Sequence, residues 1–329
     1  MEQIDYSVII RTTGNAHEKY QALLDSIAGL VPKPQEVIVV LPEGYDEPAE
    51  KLGWEAFYYS PKGMVIQRMT GIARCKTRYA LICDDDVRFD ADFAAQLYAP
   101  VREGIGSLSA APLYSFLPEK GPRAWLCILM ASAVPTVFHK QDRYVSVLKS
   151  SGYSYNRHLK PGRYYEAQSV AWTCFFADIQ ALRGIAFEEE AWLDAHGYSA
   201  LDDQTMFYKA WLRGYKTIIV SDARYDHLDA KTSTKNNKPA VLYSGAFNKV
   251  VFWHRFIYSM EETSVGRLAS CAAFRYRLLW DMLWNHISIL RHKMTADDLA
   301  VVKQGYNDGW AYLKSHEYCD LPLVCKEAK

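Results

Sequence analysis

The sequence predicts an α/β fold carrying a mostly parallel, doubly wound sheet. Two observations point there. β-Rich apolar runs alternate with stretches of helical periodicity from Tyr6 onward, and one of those runs ends in Asp84-Asp85-Asp86. Strand–helix–strand alternation builds parallel sheets, and such sheets bind ligands beyond the carboxyl ends of their strands. The aspartates therefore mark a candidate site as well as a strand end.

Residues 6–10 read as the opening strand, with turn-prone Thr12-Thr13-Gly14-Asn15 behind it. From 17 to 30 the apolar positions Tyr20, Leu23, Leu24, Ile27 and Leu30 keep helical spacing, and Pro32 and Pro34 stop the helix. Residues 36–41 form a second buried strand and 56–59 a third. A helix over 65–75 leads into the aspartate-bearing strand at 79–83. The stretch 112–165, rich in Gly, Pro and aromatics, gives no clear period. Beyond it lie a strand-like run at 170–176, a short helix near Ile179, a helix over 202–213 that Gly214 stops, and a last strand at 215–220. A polar linker spans 231–239, and the remainder looks helical.

Composition narrows the class. Half of the 329 residues are hydrophobic, enough for one large domain or a domain with an appendage. Lys+Arg and Asp+Glu balance at 38 each, which gives no basic field for a nucleic-acid partner. Seven scattered cysteines without a C-x-x-C pair fit reduced thiols in the cytoplasm rather than a disulfide framework or a zinc site. An acidic N-terminus argues against a signal peptide. The longest apolar stretch, 125–138, is broken by Pro135 and too short to span a bilayer.

Three adjacent carboxylates repel one another and raise each other's pKa values. Two readings stand: a solvated acidic turn that ends a strand, or a site for Mg²⁺ or Mn²⁺, held by one or two carboxylates plus substrate phosphates. Asp202-Asp203 open a helix, where the dipole and free amides favour an acid; capping accounts for one of them and leaves the other over. His227 follows a strand, and reads either as a structural residue or as a ligand.

Taken together, residues 6 to 230 resemble the family 2 glycosyltransferases of the GT-A fold. Ser7-Val8-Ile9-Ile10-Arg11-Thr12 is similar to the opening strand, with Arg11 in place of a proline. Gln67-Arg68-x-x-Gly71-Ile72, continued to Asp86, resembles the donor helix and D-x-D strand, with Met69 replacing an asparagine. Ala171 to Phe176 matches the acceptor-side strand, and Trp172 lies within it. Asp202-Asp203-Gln204, with Asp203 eleven residues before Gly214-Tyr215, is similar to the family's base helix and following strand. Leu41-Pro42-Glu43-Gly44 stands where an acidic pair usually holds the nucleobase, so the base of the nucleotide is left open.

The resemblance implies an inverting transfer from a nucleotide-sugar donor to a saccharide or lipid-linked saccharide acceptor, in cell-surface polysaccharide synthesis. It implies a GT-A catalytic domain over 1–235, with a donor half to about 110 and an acceptor half beyond, and a helical extension over 240–329. Asp203 is then the general base, with Trp172 and Asp202 on the acceptor side. Asp86 is the direct metal ligand and His227 a second ligand or a diphosphate contact. Thr12, Gln67, Arg68, Asp84 and Asp85 serve the donor, Asp84 through its ribose. Arg68 and Lys231 are candidate phosphate partners by charge, although Arg68 also reads as a solvated helix residue.

The C-terminal region is aromatic and, over 264–294, basic: Arg267, Arg275, Arg277, Arg291 and Lys293 against Asp281 alone. Trp280, Trp284 and Ile287 share a helix face. Such helices either lie on an anionic membrane, which would place the protein peripherally on the inner face of the cell membrane, or pack as core. Other classes fit less well. A haloacid-dehalogenase-like phosphatase needs Thr or Val where Arg88 stands, and a sugar-phosphate nucleotidyltransferase needs a Gly-rich loop absent between Arg11 and Asn15. A non-catalytic carbohydrate-binding protein on the same scaffold would not keep both Asp86 and Asp203.

Overall fold

The computed structural model describes residues 3–136, 142–229 and 238–324. Its first part follows the alternation read from sequence: β1 (Tyr6–Arg11), α1 (Glu18–Gly29), β2 (Glu36–Pro42), β3 (Ala56–Ser60), α2 (Met64–Arg74) and β4 (Tyr79–Asp84). β5 (Val87–Phe89), α3 (Phe93–Arg102) and β6 (Leu108–Ala110) come next. The stretch without a clear period contains α4 (Pro122–Leu129), β7 (Ala133–Pro135), β8 (Arg143–Val147), β9 (Tyr153–Tyr155) and β10 (Tyr164–Ala167). These strands run three to five residues, too few for alternation to register.

β11 (Cys174–Asp178) leads directly into α5 (Ile179–Ile185), and a 3₁₀ segment (Phe187–Asp194) precedes α6 (Asp202–Leu212). The acceptor-side strand thus starts at Cys174, not at residue 170. Its lead-in is shaped by the neighbouring site instead: Asp84 N donates to Thr173 O at 2.8 Å and Arg68 Nη2 to Trp172 O at 3.2 Å. β12 (Thr217–Val220) and β13 (Tyr225–His227) follow. The chain ends in α7 (Lys238–Phe252), a π-helical turn (Trp253–Tyr258), α8 (Ser264–Leu290), α9 (Ala296–Tyr312) and α10 (His316–Cys319).

Eleven strands form one sheet in the order β3-β2-β1-β4-β11-β6-β12-β10-β8-β9-β7, and β13 pairs with β5 apart from it. β3, β2, β1 and β4 are parallel, whereas β11 runs antiparallel between β4 and β6. The sheet is therefore mixed, though mostly parallel. Strand alternation sends β1 side chains to opposite faces. Val8 and Ile10 join α1 and α3 residues such as Leu23, Ile27 and Phe93, while Ile9 joins Ile72, Phe207 and the C-terminal Phe247, Val250, Phe256 and Phe274. Burial on both faces explains why β1 and β2 read as unbroken apolar runs. α2 crosses β1 closely because Gly71 has no side chain; a Cβ there would lie 2.5 Å from Ile9 Cγ2.

A buried ionic cluster fastens the C-terminal helices to α6. Lys209 Nζ, wholly buried, lies 2.7 Å from Glu190 Oε1 and 2.7 Å from Glu189 Oε2. Arg255, in the π-helical turn, makes a two-pronged contact to Glu190 at 2.8 and 2.9 Å. Burial alone would raise the Glu190 pKa, but Arg255 and Lys209 hold it below the usual carboxylate value. Glu190→Ala would leave the buried Arg255 without its carboxylate and Lys209 with Glu189 alone, so we expect a loss of about 3–5 kcal/mol of stability, read by urea denaturation.

Candidate functional site

The chain runs from β1 outward through β2 to β3, then returns to place β4 on the other side of β1. That reversal opens a crevice at the carboxyl ends of β1 and β4, where open α/β sheets bind ligands. In register, Arg11 faces Asp84. Arg11 Nη2 approaches Asp84 Oδ1 at 3.3 Å, and Arg68 Nη2, from α2, reaches the same oxygen at 3.2 Å. Arg68 Nη1 is also paired with Asp202 Oδ2, at the start of α6. One guanidinium thus joins the aspartate strand to the start of α6. Arg68 is 4% exposed, which overturns its reading as a solvated helix residue. Its planar group sits 4.2 Å from the Trp172 ring centroid, a cation–π contact that fixes its plane.

Each remaining aspartate of the triplet has its own partner. Asp85 is buried and accepts from Thr12 Oγ1 at 2.6 Å; burial pushes its pKa up to about 6. Gln67 is buried too, and its Nε2 lies 3.4 Å from Thr12 O and 3.3 Å from Val40 O, bracing the loop after β1. Asp86 Oδ1 lies 3.4 Å from His227 Nε2. β13 brings the histidine there by pairing His227 with Val87, and Leu228 N donates to Asp86 O at 2.8 Å.

On α6, Asp202 and Asp203 are both partly exposed. Burial first, and Asp202 second, push the Asp203 pKa up to about 7. Asp203 accepts a hydrogen bond from its neighbour Gln204 N at 2.6 Å, which opposes the rise. Asp202 is raised as well, chiefly by burial, with Arg68 opposing. A carboxyl that titrates near neutrality inside a crevice has the property a general base needs.

Contacts link Thr12, Gln67, Arg68, Asp84, Asp85, Trp172 and Asp202 at the carboxyl ends of β1 and β4; Asp203 adjoins Asp202, and Asp86 pairs with His227. Trp172 is 3% exposed, so it forms the floor under Arg68 and not an open wall. Lys231 lies outside the described residues. Two contributors were not read from sequence. Arg11 appeared only as a departure from a motif. Asp194 crosses to the start of α2, where its carboxylate accepts from Met64 N at 2.8 Å, Val65 N at 3.1 Å and Ile66 N at 3.2 Å. Its capping of a helix distant in sequence left no local signal; Gly63 permits it, since a Cβ there would lie 2.3 Å from Asp194 Oδ2.

No protein-family model matches the chain, and no curated protein matches it in sequence. Solved structures do match. The S. aureus TarS 1–349 crystal structure shares 14% identity at a TM-score of 0.52, over 93% of this chain and 81% of that one. GalNAc-T7, crystallised with UDP, GalNAc and Mn²⁺, shares 13% at a TM-score of 0.51, over 88% of this chain and 58% of that one. The fold is that of the GT-A glycosyltransferases. A further TarS 1–349 structure, in complex with UDP-GlcNAc, matches over 93% of this chain and 80% of that one, at 12% identity and a TM-score of 0.50.

Within this GT-A fold, the described residues gather no three His, Cys, Asp or Glu side chains for a metal. Asp86 and His227 nevertheless converge as an oxygen and a nitrogen donor. A pair suffices where substrate phosphates complete the coordination, so the residues fit a divalent cation bound together with a donor. Arg68 Nε, Trp172 Nε1 and Gln204 Nε2 are buried donors without a partner among the described residues. Buried donors are rarely left so.

Proposed function

We propose that this chain is a metal-dependent, inverting glycosyltransferase of family 2, hexosyltransferase in type. It moves a sugar from a nucleotide-sugar donor to a saccharide or lipid-linked saccharide acceptor in cell-surface polysaccharide synthesis. One juxtaposition supports this reading above the others. Asp203, titrating at about 7, stands beside Asp202, and Arg68 ties that helix start to Asp84 of the aspartate strand. Base and donor-side acids are thereby held at one crevice.

In the reaction, the acceptor oxygen attacks the anomeric carbon while its proton passes to Asp203. The new C–O bond forms opposite the breaking bond to phosphate, whose electron pair leaves with the diphosphate; a single displacement inverts the anomeric centre. Arg68 and Arg11 hold Asp84 in place toward the ribose, and Thr12 and Gln67 keep the loop after β1 in shape. Asp86 and His227 would hold a divalent cation, Mn²⁺ or Mg²⁺, which when bound supplies electrostatic stabilisation of the leaving diphosphate. We place the protein in the cytoplasm, peripheral to the inner face of the membrane, on the strength of its scattered thiols and its basic C-terminal helix.

The test is a panel of sugar nucleotides incubated with the protein and Mn²⁺. Slow hydrolysis of one donor, releasing nucleoside diphosphate and free sugar, is the expected result. Binding of a donor without any turnover, even with saccharide acceptors added, would make the chain a carbohydrate-binding scaffold. Pyrophosphate release would make it a nucleotidyltransferase.

A further inference from the structure

α8 has 27 residues and is about 40 Å long at 1.5 Å per residue. Only Ser270, Phe274 and Asp281 are buried, and these lie on one side. The opposite side carries Val265, Leu268, Leu279, Leu283 and Leu290, exposed by 77, 71, 70, 47 and 79%. Their spacing keeps all five on a single helical stripe. The stripe differs from the Trp280–Trp284–Ile287 face read in the sequence, whose residues are half-buried. α4 extends it: Tyr276 Oη donates to Leu129 O at 2.7 Å, and Trp125 and Leu129 are 72 and 46% exposed. An apolar surface this continuous marks an interaction site.

Charge decides the partner. Arg267, Arg275, Arg291 and Lys293 are exposed along or just beyond α8, with Arg123 on α4. The only acid of α8, Asp281, is buried against Lys249 at 2.6 Å and Arg277 at 2.8 Å. Two copies meeting through this stripe would bring Arg275 against its counterpart with no exposed acid within α8 to pair it, Glu262 and Asp297 lying beyond the helix ends, which disfavours self-association. No described helix is long and apolar enough to cross a membrane. An apolar stripe flanked by unpaired cations suits a helix lying in the interface of an anionic bilayer.

We infer that the outer faces of α4 and α8 dock on an anionic lipid surface. Six residues before α4 in the chain, Phe116 is 53% exposed, and its ring is 5.7 Å from that of His227. If the transfer reading holds, on which this last step rests, an acceptor carried in that lipid surface meets the crevice at its rim.

The test is sedimentation of the full-length protein with phosphatidylcholine vesicles, with and without phosphatidylglycerol, at low and high salt and without nucleotide. Binding at least about tenfold stronger to the anionic vesicles is expected, weakening as salt rises. Leu268→Glu, Leu279→Glu and Leu283→Glu together should abolish it. Should that variant fold poorly by circular dichroism, Arg275→Glu with Arg291→Glu should weaken binding to anionic vesicles at least tenfold while keeping the wild-type spectrum. Wild-type protein that binds neither vesicle overturns the inference. If it is then a dimer dispersed by the three leucine changes, the stripe is an interface between copies. Because no donor is present, the result is independent of whether the chain transfers sugar.

Discussion

Asp203→Asn is expected to lower sugar transfer by roughly 10²–10⁴-fold, the usual contribution of a positioned general base, with donor affinity nearly unchanged. Loss confined to turnover is the mark of an interaction made in the transition state, and calorimetry of donor binding beside product formation separates the two. The same carboxyl sets the pH dependence. Since its pKa is raised to about 7, turnover should climb with pH up to about 7 and then level. Linkage gives the stability its sign: the folded-state pKa exceeds the unfolded one, so stability falls as pH rises from the ordinary aspartate value toward 7. Asp203→Asn removes that penalty, and its Tm should exceed the wild-type value at pH above 7, the gap closing as the pH is lowered. Asp202→Asn should cost far less transfer; its carboxyl is raised as well, burial outweighing the Arg68 contact, so its Tm should shift in the same direction as that of Asp203→Asn. A fully active Asp203→Asn enzyme would make this helix pair structural.

Chelation is expected to abolish turnover, and added Mn²⁺ or Mg²⁺ to restore it. Asp86→Asn should remove activity that no metal addition recovers, while circular dichroism stays that of the wild type. A second readout avoids reliance on turnover: Mn²⁺ binding by calorimetry in the presence of nucleoside diphosphate should vanish in Asp86→Asn and weaken in His227→Ala. Full activity of metal-free protein would remove the cation from the reaction and leave the Asp86–His227 contact as a brace between β5 and β13.

Much of the first part of the fold was legible because its signals are local. β1, α1, β2, α2 and β4 are long enough for period and turn residues to agree, and Asp84 to Asp86 stand directly behind an apolar strand. The crevice floor was not legible in the same way. Arg68 reads as an exposed helical arginine until α6 is folded against it; only the fold shows that it bridges Asp84 and Asp202. Asp194 caps a helix that begins 130 residues earlier in the chain, a pairing no window of sequence contains. Between α3 and β11 the strands are too short to set a period, and the strand expected from residue 170 begins only at Cys174. In the C-terminal region basic and aromatic content was visible, whereas the side of α8 that stays uncovered depended on what packs beneath it.

The Glu190 cluster bears on how such chains can be recombined. Lys209 belongs to the helix that Asp203 opens, and its charge is balanced by an acid that Arg255 also holds. A crossover in the polar stretch before α7, the obvious place to join two relatives, would bring a foreign π-helical turn against this acid. Unless the incoming segment supplies an arginine at that point, Glu190 would lose the two hydrogen bonds that Arg255 donates and keep Lys209 as its one ion-pair partner among the described residues. The outer stripe of α8 carries no such obligation, so docking preference is free to diverge among relatives while the helices that bear it stay tied to α6 through Arg255, Glu190 and Lys209.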